Sequence, residues 1–337
     1  MAREKHSTIE RRRHGCLGGC LIRLLVLLGL AAFIFVAGCM TGIISNDSVT
    51  GKPTLTLGNI HAPEMGDLTG ELGRALESIT GFFGGIKNIK WPFGISANGL
   101  TVKALHAGDG ESFLICADGF TMIADAGSGT GNLISAEMLL SGVNQLTAAA
   151  ALSSDDTNVG GMSTLLSRYK PQYFFYQNTQ TKSKSYDKML EAANRAGSES
   201  IVAQSGLSFT LGRGRVSVIG PVSTNHSVSA DDGLSLRIDY GNTSILILGT
   251  ILQSGGRELV RWQREAMPAD VLILGSGGSA VSSELLDLVH PRYVIVAGKQ
   301  DDAAVSRIRT TGYQTFSVKE NGTIQVYTDG TTLRVDK

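Results

Sequence analysis

Between Ser153 and Asn158 the chain places two serines, two aspartates, a threonine and an asparagine in six consecutive positions, and Gly160-Gly161 closes the run. Carboxylates and hydroxyls crowded in this way either bind a hard cation such as Ca²⁺ through oxygen or cap the helix that follows, and capping is the simpler reading. The loop contains no histidine and so no nitrogen donor for a zinc-type centre. The other histidines of the body are scattered. His106 lies in an early turn, His226 in a polar loop, and His290 before Pro291 at a helix end, all positions of surface or capping residues. Gly275-Ser276-Gly277-Gly278-Ser279, placed before a helix, suits either an anion at a helix N-terminus or a tight turn. Cys116 is the single cysteine of the body, so it has no internal disulfide partner and reads as a buried strand residue. No G-x-S-x-G elbow, P-loop or zinc-finger spacing is present.

The elements that must hold these residues follow from periodicity. Residues 145–152 read as a strand emptying into the Ser153–Asn158 loop, and a helix follows over 161–169. That order is how α/β proteins build a site at strand carboxyl ends. Upstream, 100–108, 112–118 and 120–127 read as consecutive short strands, which implies an antiparallel start. A helix over 132–143 precedes the 145–152 strand. After it come a strand at 173–178, a helix at 188–196, and strands near 207–210 and 215–219. The second half repeats the pattern. There is a hairpin at 234–241 and 243–250, a helix at 258–265, a strand at 270–279, a helix at 282–289 and a strand at 292–298. A helix at 303–310 and strands at 315–318 and 323–327 end the chain. Two such sets predict an α/β (α+β) protein built as a four-layer αββα sandwich.

Hydrophobic content of 42% with 18% charged residues marks a globular chain. Residues 1–44 carry six Lys/Arg against two acids, leaving 24 basic and 28 acidic residues in 45–337, a net of −4. That body lacks the basic footprint of a nucleic-acid binder. Residues 24–44 form 21 uncharged positions, enough to cross about 30 Å of hydrocarbon. Arg11–Arg13 and Arg23 on the near side place residues 1–23 in the cytoplasm and the body outside. Val36-Ala37-Gly38-Cys39 offers a second reading, a lipoprotein lipidated at Cys39; a cleaved signal peptide fits less well, because the apolar run exceeds an ordinary h-region. Residues 45–99 read as a linker carrying an amphipathic helix over 67–89, with Gly70, Gly73, Gly81, Gly84 and Gly85 weakening it.

Residues 100–337 resemble the metallo-β-lactamase superfamily, and within it the extracytoplasmic hydrolase-like domain at the end of the competence DNA-uptake protein ComEC. The resemblance rests on LTVKALHAGDGESFLICADGFTMIADAG, on SLRIDYGNTSILILGT and on GSGGSAVSSELLDLVHPRYVIVAG, in that order. It implies that the family's metal-binding H-x-H-x-D-H-x-G-G falls on 153–161. Ser153, Asp155 and Asn158 then stand for the three histidines and Thr157 for the aspartate, while Gly160 and Gly161 are kept. Gly220 stands where another ligand histidine is expected, Thr250 replaces the bridging aspartate, and Ser276-Gly277-Gly278-Ser279 replaces H-H-G-S. Asp125 matches a buried structural position beside the site, and Gly275 and Gly278 belong to the groove backbone. The resemblance therefore implies a metallohydrolase scaffold without its metal ligands, a non-catalytic binding or scaffold domain with no cofactor. An alternative is a hydrolase or nuclease using zinc or manganese through replacement ligands drawn from Asp155, Asp156, His106 and His226. Family analogy also suggests an accessory of DNA uptake. The expected partners are the membrane, through 24–44, and an unidentified ligand or protein.

Overall fold

The computed structural model describes strands at 44–46, 53–57 and 60–61, and residues 98–337 apart from 180–181, 225, 227–228, 276–280 and 300–301. The chain divides into two compact units, Met1–Ile89 and Lys90–Lys337. In the first, β1 (Ile44–Asn46), β2 (Pro53–Leu57) and β3 (Ile60–His61) pair antiparallel. Strand pairing thus begins inside the segment read as a linker. The expected membrane anchor over 24–44 and the amphipathic helix over 67–89 lie outside the described residues, save for Ile44. Among the described residues no helix is long and apolar enough to cross a membrane.

The second unit holds two mixed sheets. The first contains β4 (Leu100–Ala104), β5 (Phe113–Ala117), β6 (Phe120–Ala124), β7 (Ala148–Ala151), β8 (Tyr173–Tyr176) and β9 (Glu199–Val202). The second contains β10 (Ser208–Leu211), β11 (Gly214–Gly220), β12 (Ser235–Tyr240), β13 (Thr243–Leu248), β14 (Val271–Leu274), β15 (Tyr293–Val296) and β16 (Gln314–Ser317). The chain ends with β17 (Ile324–Thr328) and β18 (Leu333–Asp336), which return to the first sheet beside β4. Each sheet opens with antiparallel pairs and continues as parallel strands, β6 to β9 and β13 to β16.

The layering follows from the alternation of side chains along the strands. Val102, Phe113, Ile115, Met122 and Ala148 from the first sheet meet Val216, Leu236, Ile238, Ile247 and Ile273 from the second in one core. The outer face of the first sheet (Leu114, Ile123, Phe174) is covered by α1 (Gly131–Leu140), α3 (Met162–Tyr169) and α4 (Lys184–Ala196), through Ile134, Met138, Leu165 and Met189. The outer face of the second (Leu246, Leu272, Val294) is covered by α5 (Gln253–Trp262), α6 (Ser283–Val289) and α7 (Asp302–Thr310), through Leu259, Leu285 and Val305. Helix, sheet, sheet, helix is the predicted αββα order. Two short helices complete the chain, α2 (Asp156–Val159) after β7 and α8 (Val318–Asn321) after β16.

Three elements differ from the sequence reading. The helix expected over 258–265 spans 253–262, its first turn running through Gly255 and Gly256 beside Asp231. A Cβ on Gly255 would stand 2.9 Å from an Asp231 oxygen. The strand β18 was not foreseen, since it exists only by pairing with β17. Nor was β9, whose mixed ESIV sequence has no alternation of its own and is fixed by β8.

Strand directions then place the chemistry. β4, β6, β7 and β8 in one sheet, and β11, β13, β14 and β15 in the other, all finish at one edge of the sandwich. Their following loops converge there, as strand carboxyl ends do in α/β folds.

Candidate functional site: a hydroxyl-lined cleft at the strand carboxyl ends

A cavity of about 310 Å³ opens at this edge. The loop after β7 supplies Ser153, Ser154, Asp155 and Thr157 to its wall, and the loop after β13 supplies Thr250 and Leu252. Asp109, Ala230 and Lys299 complete the described lining. Four of the positions singled out from sequence, Ser153, Asp155, Thr157 and Thr250, therefore do meet. Asp109 and Lys299 were not foreseen. The available signal was positional: Asp109 follows β4 and Lys299 follows β15, both at strand carboxyl ends. A larger hollow of about 770 Å³ lies by the Asp118-Gly119 turn, where the parallel strands begin. It lacks the convergent loops, so the smaller cleft is the candidate site.

Asp155 organises the cleft from below. Its Oδ1 accepts from the backbone N–H of Thr157 (2.9 Å) and of Asn158 (3.2 Å), capping α2. Its Oδ2 accepts from Ser153 Oγ (2.8 Å) and Asn158 Nδ2 (3.0 Å). Asn158 is buried, and its Oδ1 accepts from the Glu111 backbone N–H at 2.9 Å. One amide side chain thus ties the β7 loop to the turn before β5. The glycine pair lets the loop sit this close. A Cβ on Gly161 would stand 2.4 Å from Ala126 O and 2.6 Å from Gly131 N.

Two further acids lie buried behind this loop. Asp125, fully buried at positive φ (+56°), accepts from the Leu152 N–H at 2.9 Å through Oδ1, while Oδ2 has no hydrogen-bond partner among the described residues. Burial, then the charge of Glu111, push its carboxyl well above the ordinary range, and the Leu152 N–H offsets this only in part. Glu111 is buried against Gly275, where an added Cβ would come 2.4 Å from its Oε2. Gly275 is therefore a close-approach position, though it is not among the residues lining the cleft.

The remaining expectations fare unevenly. Thr250 is buried in the cleft wall, and its Oγ1 has no hydrogen-bond partner among the described residues. Gly220 ends β11 at the correct edge but packs on Leu259 and Ser235, outside the cavity lining. Gly160 packs on Asp156 O and Gly129 N rather than facing the cavity. Asp156 turns to α4, accepting from the Ser185 N–H at 3.1 Å, and hydrogen bonds from Ser185 hold its carboxyl below the usual range. His106 is exposed and His290 is the left-handed cap of α6. His226 is bonded to Asp232 and Glu258. None of these histidines, nor Asp156, is among the described residues that line the cleft. Ser276, Gly277, Gly278 and Ser279 lie outside the described residues.

A zinc or manganese centre needs several nitrogen, sulfur or carboxylate donors converging with open lone pairs. Among the described residues no three His, Cys, Asp or Glu side chains are placed to hold a metal ion. Asp155 already accepts four hydrogen bonds, and Asp125 is driven toward its protonated form. The rest of the described lining offers one further carboxylate, Asp109, with the Lys299 amine and the hydroxyls of Ser153, Ser154, Thr157 and Thr250. This donor set does not fit the two-metal centre.

No family profile matches the chain, and no curated protein does. Among solved structures the chain aligns with the metallo-β-lactamase fold protein YhfI from Bacillus subtilis, at 10% identity over 65% of this chain and 95% of that one, TM-score 0.45. It also aligns with Igni18, a metallo hydrolase from the archaeon Ignicoccus hospitalis, at 12% identity over 70% and 99%, TM-score 0.44. A third is Tm1679, a metal-dependent hydrolase of the β-lactamase superfamily, at 9% identity over 65% and 95%, TM-score 0.47.

Proposed function

We propose that residues 100–337 are a metallo-β-lactamase-type domain that acts by binding rather than by metallohydrolysis, with the 310 Å³ cleft as the place where a ligand or partner segment enters. The reading draws its family from the ordered sequence motifs and its non-catalytic character from the site chemistry. The observation that carries it is the state of Asp155. The best remaining carboxylate of the old ligand run accepts four hydrogen bonds from its own loop, so its lone pairs are directed inward. The cleft lining also holds Ser154 and Thr250, whose Oγ1 is buried with no hydrogen-bond partner among the described residues. A buried hydroxyl lacking a partner is satisfied by water or by a bound polar group.

Elemental analysis of the purified chain tests this. The expected result is zinc and manganese far below one per chain, with no chelator-sensitive phosphodiesterase activity. Stoichiometric metal, with hydrolysis that chelator abolishes and metal restores, would falsify the proposal.

We further propose that residues 24–44 tether the domain outside the membrane. The chain is then expected to sediment with membranes, to resist alkaline carbonate, and to be released by detergent. Recovery in the soluble fraction would refute tethering. Fatty-acyl labelling that disappears in Cys39→Ala would replace the spanning helix by a lipid anchor.

A further inference from the structure

Away from the cleft floor, one histidine sits between two carboxylates. His226 Nδ1 lies 2.8 Å from Asp232 Oδ1, and Nε2 lies 3.2 Å from Glu258 Oε1. The ring is 12% exposed, and the His226 backbone N–H also donates to Asp232 Oδ1 at 3.1 Å. Ser223 Oγ stands 3.2 Å from Nε2 and 2.9 Å from Glu258 Oε1. Ser223, His226 and Asp232 thus have the connectivity of a nucleophile, a base and its orienting acid. Glu258 changes what that connectivity can do. With a carboxylate at each nitrogen, the ring that satisfies both is the doubly protonated imidazolium, and that form has no lone pair to accept a proton from Ser223.

The same contacts reach the cleft. Ser223, His226 and Asp232 lie on the segment joining β11 to β12, whereas Glu258 is on α5. Next to Asp232, Asp231 accepts from the Leu252 N–H at 2.6 Å and from Ser254 Oγ, fixing the start of α5. Ala230 and Leu252, which flank these contacts, are both in the cleft wall.

We propose that His226 is a pH-operated clamp on this wall: as imidazolium it ties Asp232 to Glu258 of α5, and on losing its proton it releases the tie to Glu258. The neutral ring keeps its Nδ1–H on Asp232 and turns a lone pair toward the Glu258 carboxylate. Ser223 then donates to Nε2 and leaves Glu258 without either donor. The charged groups facing the ring are Asp232 from its own segment and Glu258 from α5. Asp232 Oδ2 accepts from the neutral Thr179 Oγ1 at 3.4 Å. Arg257 and Arg261, the other charged residues of α5, are exposed and bond neither the ring nor Glu258 among the described residues. Burial works to lower the imidazole's proton affinity, but the hydrogen bonds and charges of Asp232 and Glu258 outweigh it and the net movement is upward. A raised folded-state value means that the clamp contributes fully below the unfolded value of about 6.5 and is lost as pH rises through the folded one.

The inference concerns regulation of the proposed cleft, and a ligand-free titration reads it whether or not the cleft binds anything. The full chain, labelled at histidine Cε1 and at Ala and Leu methyls, is titrated by NMR, with His226 assigned from His226→Gln. We expect a His226 midpoint above 6.5, falling by about one pH unit in Glu258→Gln. The Ala230 and Leu252 methyls should move with the same midpoint in the native chain and lose that transition in Glu258→Gln. A midpoint at or below 6.5, or wall methyls silent through the His226 transition, overturns the clamp. Both readings come from the native chain, so the proposal is decided even where the variant fails to fold.

Discussion

Asn158→Ala is expected to destabilise the domain by about 1–3 kcal/mol, because it strands the buried Glu111 N–H, the cost of one unpaired buried polar group. The Glu111 N–H loses its acceptor at 2.9 Å, and Asp155 Oδ2 loses the donor at 3.0 Å. The Glu111 N–H cannot turn to water, since Glu111 is buried, whereas Asp155 is half-buried in the cleft wall and can. Urea unfolding at pH 7 measures the loss. Ser154→Ala is the control. Its hydroxyl borders the cleft and makes no hydrogen bond among the described residues, so its removal should cost no more than about 0.5 kcal/mol. Equal midpoints for the two variants would show that the Asn158 clasp does not hold the loop.

Asp125→Asn should do the opposite and stabilise the protein at neutral pH. The buried carboxyl binds its proton more tightly folded than unfolded, through burial first and the Glu111 charge second. The native state therefore holds the extra proton. As pH rises from the unfolded Asp value near 3.9 toward the folded value, the native protein loses up to about 1.4 kcal/mol per pH unit. An amide keeps the acceptor that Leu152 N–H uses and carries no charge to lose, so the variant escapes that slope. The two stabilities should meet near pH 4 and separate steadily above it. A parallel pH profile for the two proteins would mean that Asp125 is ionised in the fold and compensated by a cation.

Much of the architecture was legible because it is local. The hairpin β12–β13 and the parallel strands β7, β14 and β15 are short apolar runs bounded by glycine or polar turns, and each formed close to its expected place. The return of β17 to β4 was not legible, because that edge is specified by pairing between residues more than 200 positions apart. The site shows the same division. The loop after β7 and its capping aspartate follow from local rules of strand ends and helix starts. The role of Asn158 does not, because an amide acquires its meaning only when Glu111, 47 residues upstream, is brought to it. Lys299 and Asp109 were missed for the same reason. Single charged residues in turns carry no signal until two sheets bring their ends together. His226 stood out only as an isolated histidine, and the partner that alters its chemistry, Glu258, sits on a helix whose start the sequence misplaced.

The central claim is that the β7 loop satisfies its own carboxylate so completely that a cation has no purchase there. Crystals grown with zinc or manganese test it directly by anomalous difference density. The account predicts no peak within metal-bonding reach of Asp155, about 2.0–2.3 Å, and an unchanged Asp155–Asn158 contact at 3.0 Å. A peak in the cleft held by three or more donors of the chain, with Asp155 turned outward to reach it, would contradict the account and mark the protein as a working metallohydrolase.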